Sequence, residues 1–307
     1  MNHKKGINLI IATAVISGFS IFINQFGVKV INSDIYTFLK NLIAGLLVVG
    51  VMLMLKERGE IKKLKTKDLR LLVLIGLIGG SVPFLLFFKG LAISGAANGS
   101  LIHKSMFLLV AVLAVIFLKE KLKKNLIIGM LLLLIGNVLI LNFNAGVFLH
   151  RGDMLILLAT ILWAIENIIS KKAIKTISPR LVAGARLLFG CMFIMVYLAI
   201  TGQLNQLSQL SFSQLSWVWL TGVLLAGYVI TWYSGLKYID VSTASCLLAL
   251  GLPVTIALEI FQGRVLNVFQ SAGLLFLTAG FLLILFNIWK KKFIQHLPEY
   301  LATLLRR

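Results

Sequence analysis

The stretch Phe88–Val138, FKGLAISGAANGSLIHKSMFLLVAVLAVIFLKEKLKKNLIIGMLLLLIGNV, decides the fold. It reads as a short polar turn, a long apolar helix, a basic reverse turn (Lys119, Glu120, Lys121, Lys123, Lys124), and a second apolar helix carrying Gly129 and Gly136. The chain repeats it at Tyr233–Leu282, YSGLKYIDVSTASCLLALGLPVTIALEIFQGRVLNVFQSAGLLFLTAGFL. Gly90-Leu91 returns as Gly235-Leu236, Ser100 as Ser245, and the glycine pair as Gly273 and Gly280. The offset is about 145 residues, the mark of an internal duplication.

Outward from that repeat, composition excludes a water-soluble globule. The 307 residues are 59% apolar, with mean hydropathy +0.99, against roughly 45–50% apolar for soluble domains. Apolar runs of about 18–23 residues match the hydrocarbon thickness of a bilayer, and no alternating pattern suggests a β-barrel. The reading is an all-α membrane protein. Ten spans are expected: Ile7–Val28, Ile35–Leu55, Leu69–Phe88, Ala97–Leu118, Asn125–Leu141, Asp153–Ala173, Leu181–Ile200, Leu215–Ser234, Val241–Phe261 and Val268–Trp289.

A net charge of +20 could indicate nucleic acid, but the placement of the cations argues against that partner. The amino-terminus, the even turns and the tail hold 23 Lys and Arg, the odd turns 4, and the remaining three lie within spans. The positive-inside rule then puts both termini in the cytoplasm. Five spans per half is an odd number, so the halves enter the bilayer from opposite sides. The expectation is two inverted five-helix repeats, residues 1–145 and 150–290, followed by a basic cytoplasmic tail, 291–307. Cys191 and Cys246 fall inside apolar runs and imply no disulfide framework.

With that organisation in hand, the chain resembles the EamA-type branch of the drug/metabolite transporter superfamily. The residues carrying the resemblance are Gly90-Leu91, the span-4 exit Phe117-Leu118-Lys119-Glu120-Lys121-Leu122, the Gly129/Gly136 pair, their second-half echoes, and a cation early in spans 2 and 7. The resemblance implies a ten-helix carrier whose central cavity is formed mainly by helices 1, 3, 4, 6, 8 and 9, often an exporter of metabolites or amino acids. Two features depart from the family pattern: Ile102-His103-Lys104-Ser105-Met106 replaces a small apolar run, and Gln262-Gly263-Arg264 lacks a counterpart of Glu120.

Ionisable groups inside hydrocarbon cost roughly 2.5–3.5 kcal/mol to insert and tend to face a cavity or a partner. Lys104 is expected about 21 Å from the inner end of its span, too deep to snorkel, as a cation for an anionic substrate group, a proton site, or a structural ion pair. His103, one residue earlier, titrates near neutrality in its ordinary state and serves either proton coupling or structure. Glu166, the one acid deep in a span, is grouped with Trp163, Asn167 and Ser170 on span 6. Ser100, Asn98, Asn24, Tyr228, Trp232 and Ser245 complete the expected substrate-binding set. Lys40 and Arg186 recur in both halves and are read as gating or structural cations, with Pro83 and Pro253 as kink sites.

No HExxH, Walker loop or nucleophile elbow is present, and His103 and Ser105 diverge by about 200° on a helix. The chain is therefore read as no enzyme, with no metal and no cofactor. The expected activity is secondary transport of a small polar metabolite, amino acid or organic anion, by alternating access. Export and proton coupling through Glu166 or His103 are the expected mode, in the plasma membrane, as a monomer or homodimer. The alternatives are a lipid or lipid-linked-sugar flippase and a membrane scaffold or sensor.

Overall fold

A computed structural model describes the backbone of residues 2–141 and 150–304, and the side chains of 3–140 and 150–286. The expected basic tail, 291–307, lies outside the described side chains. All described secondary structure is helical. Eight helices are long and apolar enough to cross a membrane, and the apolar helix Lys124–Ile140 falls short of that length.

The first half comprises α1 (Asn2–Val30), α2 (Ser33–Met54), the short α3 (Arg58–Lys62), α4 (Thr66–Ile75), α5 (Val82–Lys104), α6 (Met106–Leu113) and α7 (Lys124–Leu141). The second comprises α8 (Arg151–Ala173), α9 (Pro179–Ile200), α10 (Phe212–Leu236), α11 (Val241–Leu248), α12 (Gly251–Phe261) and α13 (Val268–Leu304). α11 and α13 begin with their apolar runs, whereas α1, α2, α4 and α10 begin two to five residues earlier, where a side chain can satisfy the first free N–H groups. Asn32 illustrates this at the start of α2, where its side chain accepts from the Asp34 N–H at 2.9 Å.

One apolar stretch, Thr66–Leu118, runs for 53 residues. Straight, it would measure roughly 80 Å, far beyond the roughly 30 Å hydrocarbon layer. Gly95 folds it back: φ 77° and ψ 176° are open only to glycine. Two π-helical turns interrupt the same stretch, at Gly76–Ser81 and Ala114–Leu118. Further breaks fall at Ser105, between α5 and α6, and at Ala249–Leu250, between α11 and α12. Pro83 follows the first π turn directly, and Pro253 follows the second-half break.

The main packings join one half to the other: α1 to α10, α2 to α9, α5 to α8 and α7 to α13. The recurring glycines meet across the last of these. A Cβ on Gly136 would come 2.7 Å from the Gly273 carbonyl, and one on Gly280 would come 2.9 Å from that of Gly129. Without a hydrophobic difference between lipid and Leu, such close backbone approach is what holds membrane helices together. Leu131, Ile135, Leu275 and Phe286 remain exposed on this pair, as expected of lipid-facing side chains.

Candidate functional site

Where the halves meet, seven helices enclose a cavity of about 590 Å³, its mouth included. Their polar contributions are Ser17, Ser20 and Asn24 from α1, Lys40 from α2, His103 from α5, Glu166 and Asn167 from α8, Arg186 from α9 and Tyr228 from α10. Phe84, Phe87 and Phe88 share one face of α5 by their i, i+3, i+4 spacing and supply much of the apolar wall.

Lys40 is 1% exposed and Arg186 4%, so neither snorkels, and these two cations, expected as gating or structural, border the cavity. Lys40 Nζ lies 3.4 Å from the centroid of Phe88, 5.3 Å from that of Phe84 and 5.6 Å from that of Tyr36. Its hydrogen bond to Asn24 Oδ1 is long, at 3.4 Å. The ammonium group is thus met mainly by ring faces, whose quadrupoles attract a cation. Arg186 also stands by Phe84, its Cζ 5.4 Å from the ring centroid. Its Nη2 donates to the Gly79 carbonyl at 3.0 Å, while Nε is buried with no partner.

That carbonyl is available because the residue four places on, Pro83, has no N–H to give it. Gly79 O accepts from both Arg186 and Trp163 Nε1 (2.9 Å), and Gly80 O accepts from Asn41 Nδ2 (3.0 Å). A wider turn releases carbonyls from the helical ladder, and π turns of this kind gather at functional sites. Gly79 is also the notch in which Glu166 and Arg186 sit: a Cβ there would meet Glu166 Cγ at 2.5 Å and Arg186 Nε at 3.0 Å.

Glu166 Oε1 accepts from Tyr233 Oη at 2.5 Å and from Ser170 Oγ. No ion pair joins Glu166 to Lys104 or Arg186 among the described residues. Asn167 is likewise committed, its Oδ1 accepting from Trp232 Nε1 at 2.9 Å and its Nδ2 reaching Met106 Sδ at 3.7 Å. Trp232 lies against Tyr228, with centroids 6.4 Å apart and planes at 14°. His103 packs between Phe87 (5.5 Å) and Trp163 (5.0 Å), and its Nδ1 is buried without a partner.

Nine of the expected residues therefore border one space: Asn24, Lys40, His103, Trp163, Glu166, Asn167, Arg186, Tyr228 and Trp232. Four expected binding residues do not. Lys104, about 100° around the helix from His103, points away from the cavity. Its Nζ donates to Ser17 Oγ at 2.5 Å, and its end fills the space at Gly251, where a Cβ would meet Cε at 2.8 Å. Lys104 thus stands behind the wall, holding Ser17. Ser100 Oγ pairs with Thr255 Oγ1 at 3.2 Å, and Ser245 Oγ donates to the Ser242 carbonyl at 2.9 Å. Asn98 is half-buried, close to the Gly95 fold. Pro83 and Pro253 are absent from the wall as well. Tyr233, Tyr36 and Ser17 escaped the sequence reading, because their partners lie on other helices.

Above and below the cavity, polar contacts tie the halves together. Lys89 Nζ lies 3.0 Å from Asp34 Oδ2 and donates to Tyr197 Oη at 2.8 Å. At the opposite end Arg180 pairs with Glu57. Glu120 accepts there from the backbone N–H groups of Val241 (2.9 Å) and Ser242 (3.1 Å) at the start of α11.

An all-helical bundle with membrane-length spans and a polar cavity at the seam of its halves defines a polytopic transport protein. The profile of the EamA-like transporter family matches residues 4–142 and again 150–286, and the chain belongs to that family. It is a multi-pass membrane transporter, not an enzyme, and handles a small-molecule substrate. It is 27% identical over 223 residues to the uncharacterized transporter YyaM of Bacillus subtilis (strain 168), covering 68% of this chain and 71% of that one. It is 25% identical over 283 residues to the riboflavin transporter ImpX of Fusobacterium nucleatum subsp. nucleatum, covering 89% and 94%. A solved crystal structure 18% identical in sequence superposes with TM-score 0.72 over 90% of this chain and 95% of that one, a likeness of fold alone.

Proposed function

We propose that the chain is a secondary carrier that moves a small polar metabolite outward by alternating access around this cavity. The observation that carries the reading is the placement of Lys40 and Arg186. Each comes early in the second long helix of its half, and both border one buried space between the halves. A mid-membrane site at a repeat interface, flanked by interrupted helices, suits rocking of one half against the other.

The same reading sets the topology. Counting the two limbs of Thr66–Leu118 separately and adding the helix Lys124–Ile140 makes ten crossings, five per half, hence inverted repeats over 1–145 and 150–290. Both termini then lie in the cytoplasm, at the plasma membrane, and a single chain suffices to enclose the site. Impermeant maleimide on intact cells tests this. With Cys191→Ser and Cys246→Ser in place, Asn205→Cys should label from outside and Lys62→Cys only after lysis. The reverse pattern would refute the orientation.

For mechanism, Glu166 is the group best placed to couple transport to protons. Oε1 is held by Tyr233 and Ser170 while the carboxylate borders the cavity. His103, also bordering the cavity, is the second proton site. Reconstituted vesicles preloaded with candidate metabolites should show counterflow, accelerated by an imposed pH gradient. Counterflow indifferent to the gradient, with Glu166→Gln as active as the parent, removes the coupling role.

A further inference from the structure

Resting on the carrier reading above, we infer that the substrate is a planar aromatic monocarboxylate: a flat ring system bearing one negative charge. The argument begins with which polar atoms of the wall are free. Trp163 and Trp232 have spent their indole N–H groups on Gly79 O and Asn167 Oδ1, each at 2.9 Å. Asn24 accepts from Tyr36 Oη at 2.7 Å and donates to the Ser20 carbonyl. Ser17 is held by Lys104. The tryptophans therefore offer the cavity ring faces and edges, not hydrogen bonds.

Besides the Tyr228 hydroxyl and Glu166 Oε2, the groups left over are basic. Lys40 has one long hydrogen bond and otherwise only ring faces for company; Arg186 Nε and His103 Nδ1 have no partner at all. All three side chains are more than nine-tenths buried, and all three border the cavity. A buried donor without an acceptor costs about 1–3 kcal/mol, so a ligand that brings acceptors is favoured over one that brings donors. Lys40 and Arg186 can only donate. The missing partner is an acceptor, and beside two cations a charged acceptor is favoured.

Charge count separates the anions. Lys40, Arg186 and Glu166 are the formally charged groups of the wall, and together they leave one positive charge. One carboxylate balances it, whereas a phosphate dianion would leave an uncompensated negative charge in a largely desolvated site. The ring system follows from the rest of the wall. Phe84, Phe87, His103 and Trp163 form one aromatic surface with centroids 5.0–5.5 Å apart. Tyr228 and Trp232, stacked 6.4 Å apart, form another on the same space. Aromatic pairs gain about 0.5–1.5 kcal/mol beyond their area, so a flat ring is favoured over a saturated one of equal size.

Equilibrium binding to the purified full-length protein in detergent, by calorimetry, tests ring and charge separately with four probes. Indole-3-acetate has both features, cyclohexylacetate only the charge, riboflavin the ring without the charge, and tryptamine the ring with the opposite charge. Indole-3-acetate should bind best, cyclohexylacetate roughly ten-fold weaker, and tryptamine not measurably. Cyclohexylacetate equal to indole-3-acetate overturns the ring; riboflavin or tryptamine equal or tighter overturns the charge; no binding by any probe overturns both. Lys40→Gln should weaken indole-3-acetate at least ten-fold and leave cyclohexylacetate no better than before. Phe87→Leu should narrow the gap between indole-3-acetate and cyclohexylacetate; if Lys40→Gln fails to fold, that gap and the tryptamine result still decide. Tight indole-3-acetate binding without counterflow of any solute would sink the carrier reading and spare the ligand class. Counterflow of aliphatic solutes alone would do the opposite.

Discussion

Lys40 on α2 and Arg186 on α9 hold corresponding places in the two halves and end in unlike surroundings. Lys40 is enclosed by the rings of Tyr36, Phe84 and Phe88, with one distant amide oxygen. Arg186 is fixed to a released backbone carbonyl and shares a glycine notch with a carboxylate that two hydroxyls hold. Duplication copied the backbone; the chemistry around each cation then diverged. Removing Lys40 leaves little unsatisfied, whereas removing Arg186 takes one of two donors from the Gly79 carbonyl and the neighbouring cation from Glu166. The two corners therefore separate binding from stability.

The largest test of that contrast is steric. On the Arg186 helix, a Cβ at Gly190 would fall 2.3 Å from the Gly80 carbonyl, which backbone cannot yield. On the Lys40 helix, a Cβ at Gly45 would meet Leu188 Cδ2 at 2.9 Å, a chain end that can turn, and Leu187 Cβ at 3.3 Å, with no backbone atom as near. Gly190→Ala should cost more than about 4 kcal/mol and abolish the monodisperse peak in size-exclusion chromatography, with Gly45→Ala close to the parent. Equal behaviour would mean the close packing at the π turn is unimportant.

Next in size, Arg186→Met should destabilise by about 1.5–3 kcal/mol, because it removes a charged donor to the Gly79 carbonyl and the cation sharing the Gly79 notch with Glu166. Lys40→Met should stay within about 1 kcal/mol while substrate binding fails. Thermal unfolding in detergent reads the difference, and a Lys40→Met loss as large as that of Arg186→Met would contradict the two-corner picture.

A smaller contrast lies in the two buried phenols. Tyr233→Phe removes a donor to a carboxylate, worth about 1.5–3 kcal/mol, and Tyr36→Phe a hydroxyl bridging Asn24 and Thr221, worth about 0.5–1.5 kcal/mol. The order of their melting temperatures checks this; Tyr36→Phe melting lower would reverse the assignment.

The smallest effect is pH-dependent. Arg180, six residues before Arg186, hydrogen-bonds Glu57 and holds its carboxyl below the usual carboxylate range. A depressed carboxyl stabilises above its unfolded pKa and loses that contribution as pH falls through the lowered folded value. For so solvent-screened a pair the loss is under about 1 kcal/mol. Between pH 7 and 3 the parent should lose slightly more melting temperature than Glu57→Gln; parallel curves would leave the pair without energetic weight.

The limits of α2 were legible, since apolar length is what a bilayer demands: it was expected over Ile35–Leu55 and lies at Ser33–Met54, whereas the breaks at Ser105 and Ala249–Leu250 fall inside expected spans. A turn between Phe88 and Ala97 was expected, but not that Gly95 makes it, because positive φ leaves no trace in hydropathy. Trp163, Glu166 and Asn167 stood out as polar or amphipathic groups in an apolar run, and they border the cavity together. Lys104 stood out equally and lies behind the wall, because depth along a helix says nothing of rotation about it. Lys40 and Arg186 were discounted for their recurrence, although a seam between repeats places equivalent residues at its centre. Tyr233 could not be found at all: Glu166 lies 67 residues away in sequence.

The π turn at Gly76–Ser81 amounts to one surplus residue in a helix, and that surplus has a price in tolerance to deletion. Excising Gly79 or Gly80 would rewind the segment into an ordinary spiral and shorten it by one step. Three foreign side chains, on three different helices, would lose their anchors at once. A change that looks like tidying one rod would loosen the whole bundle, so insertions and deletions here are barred for reasons that neither hydropathy nor length reveals.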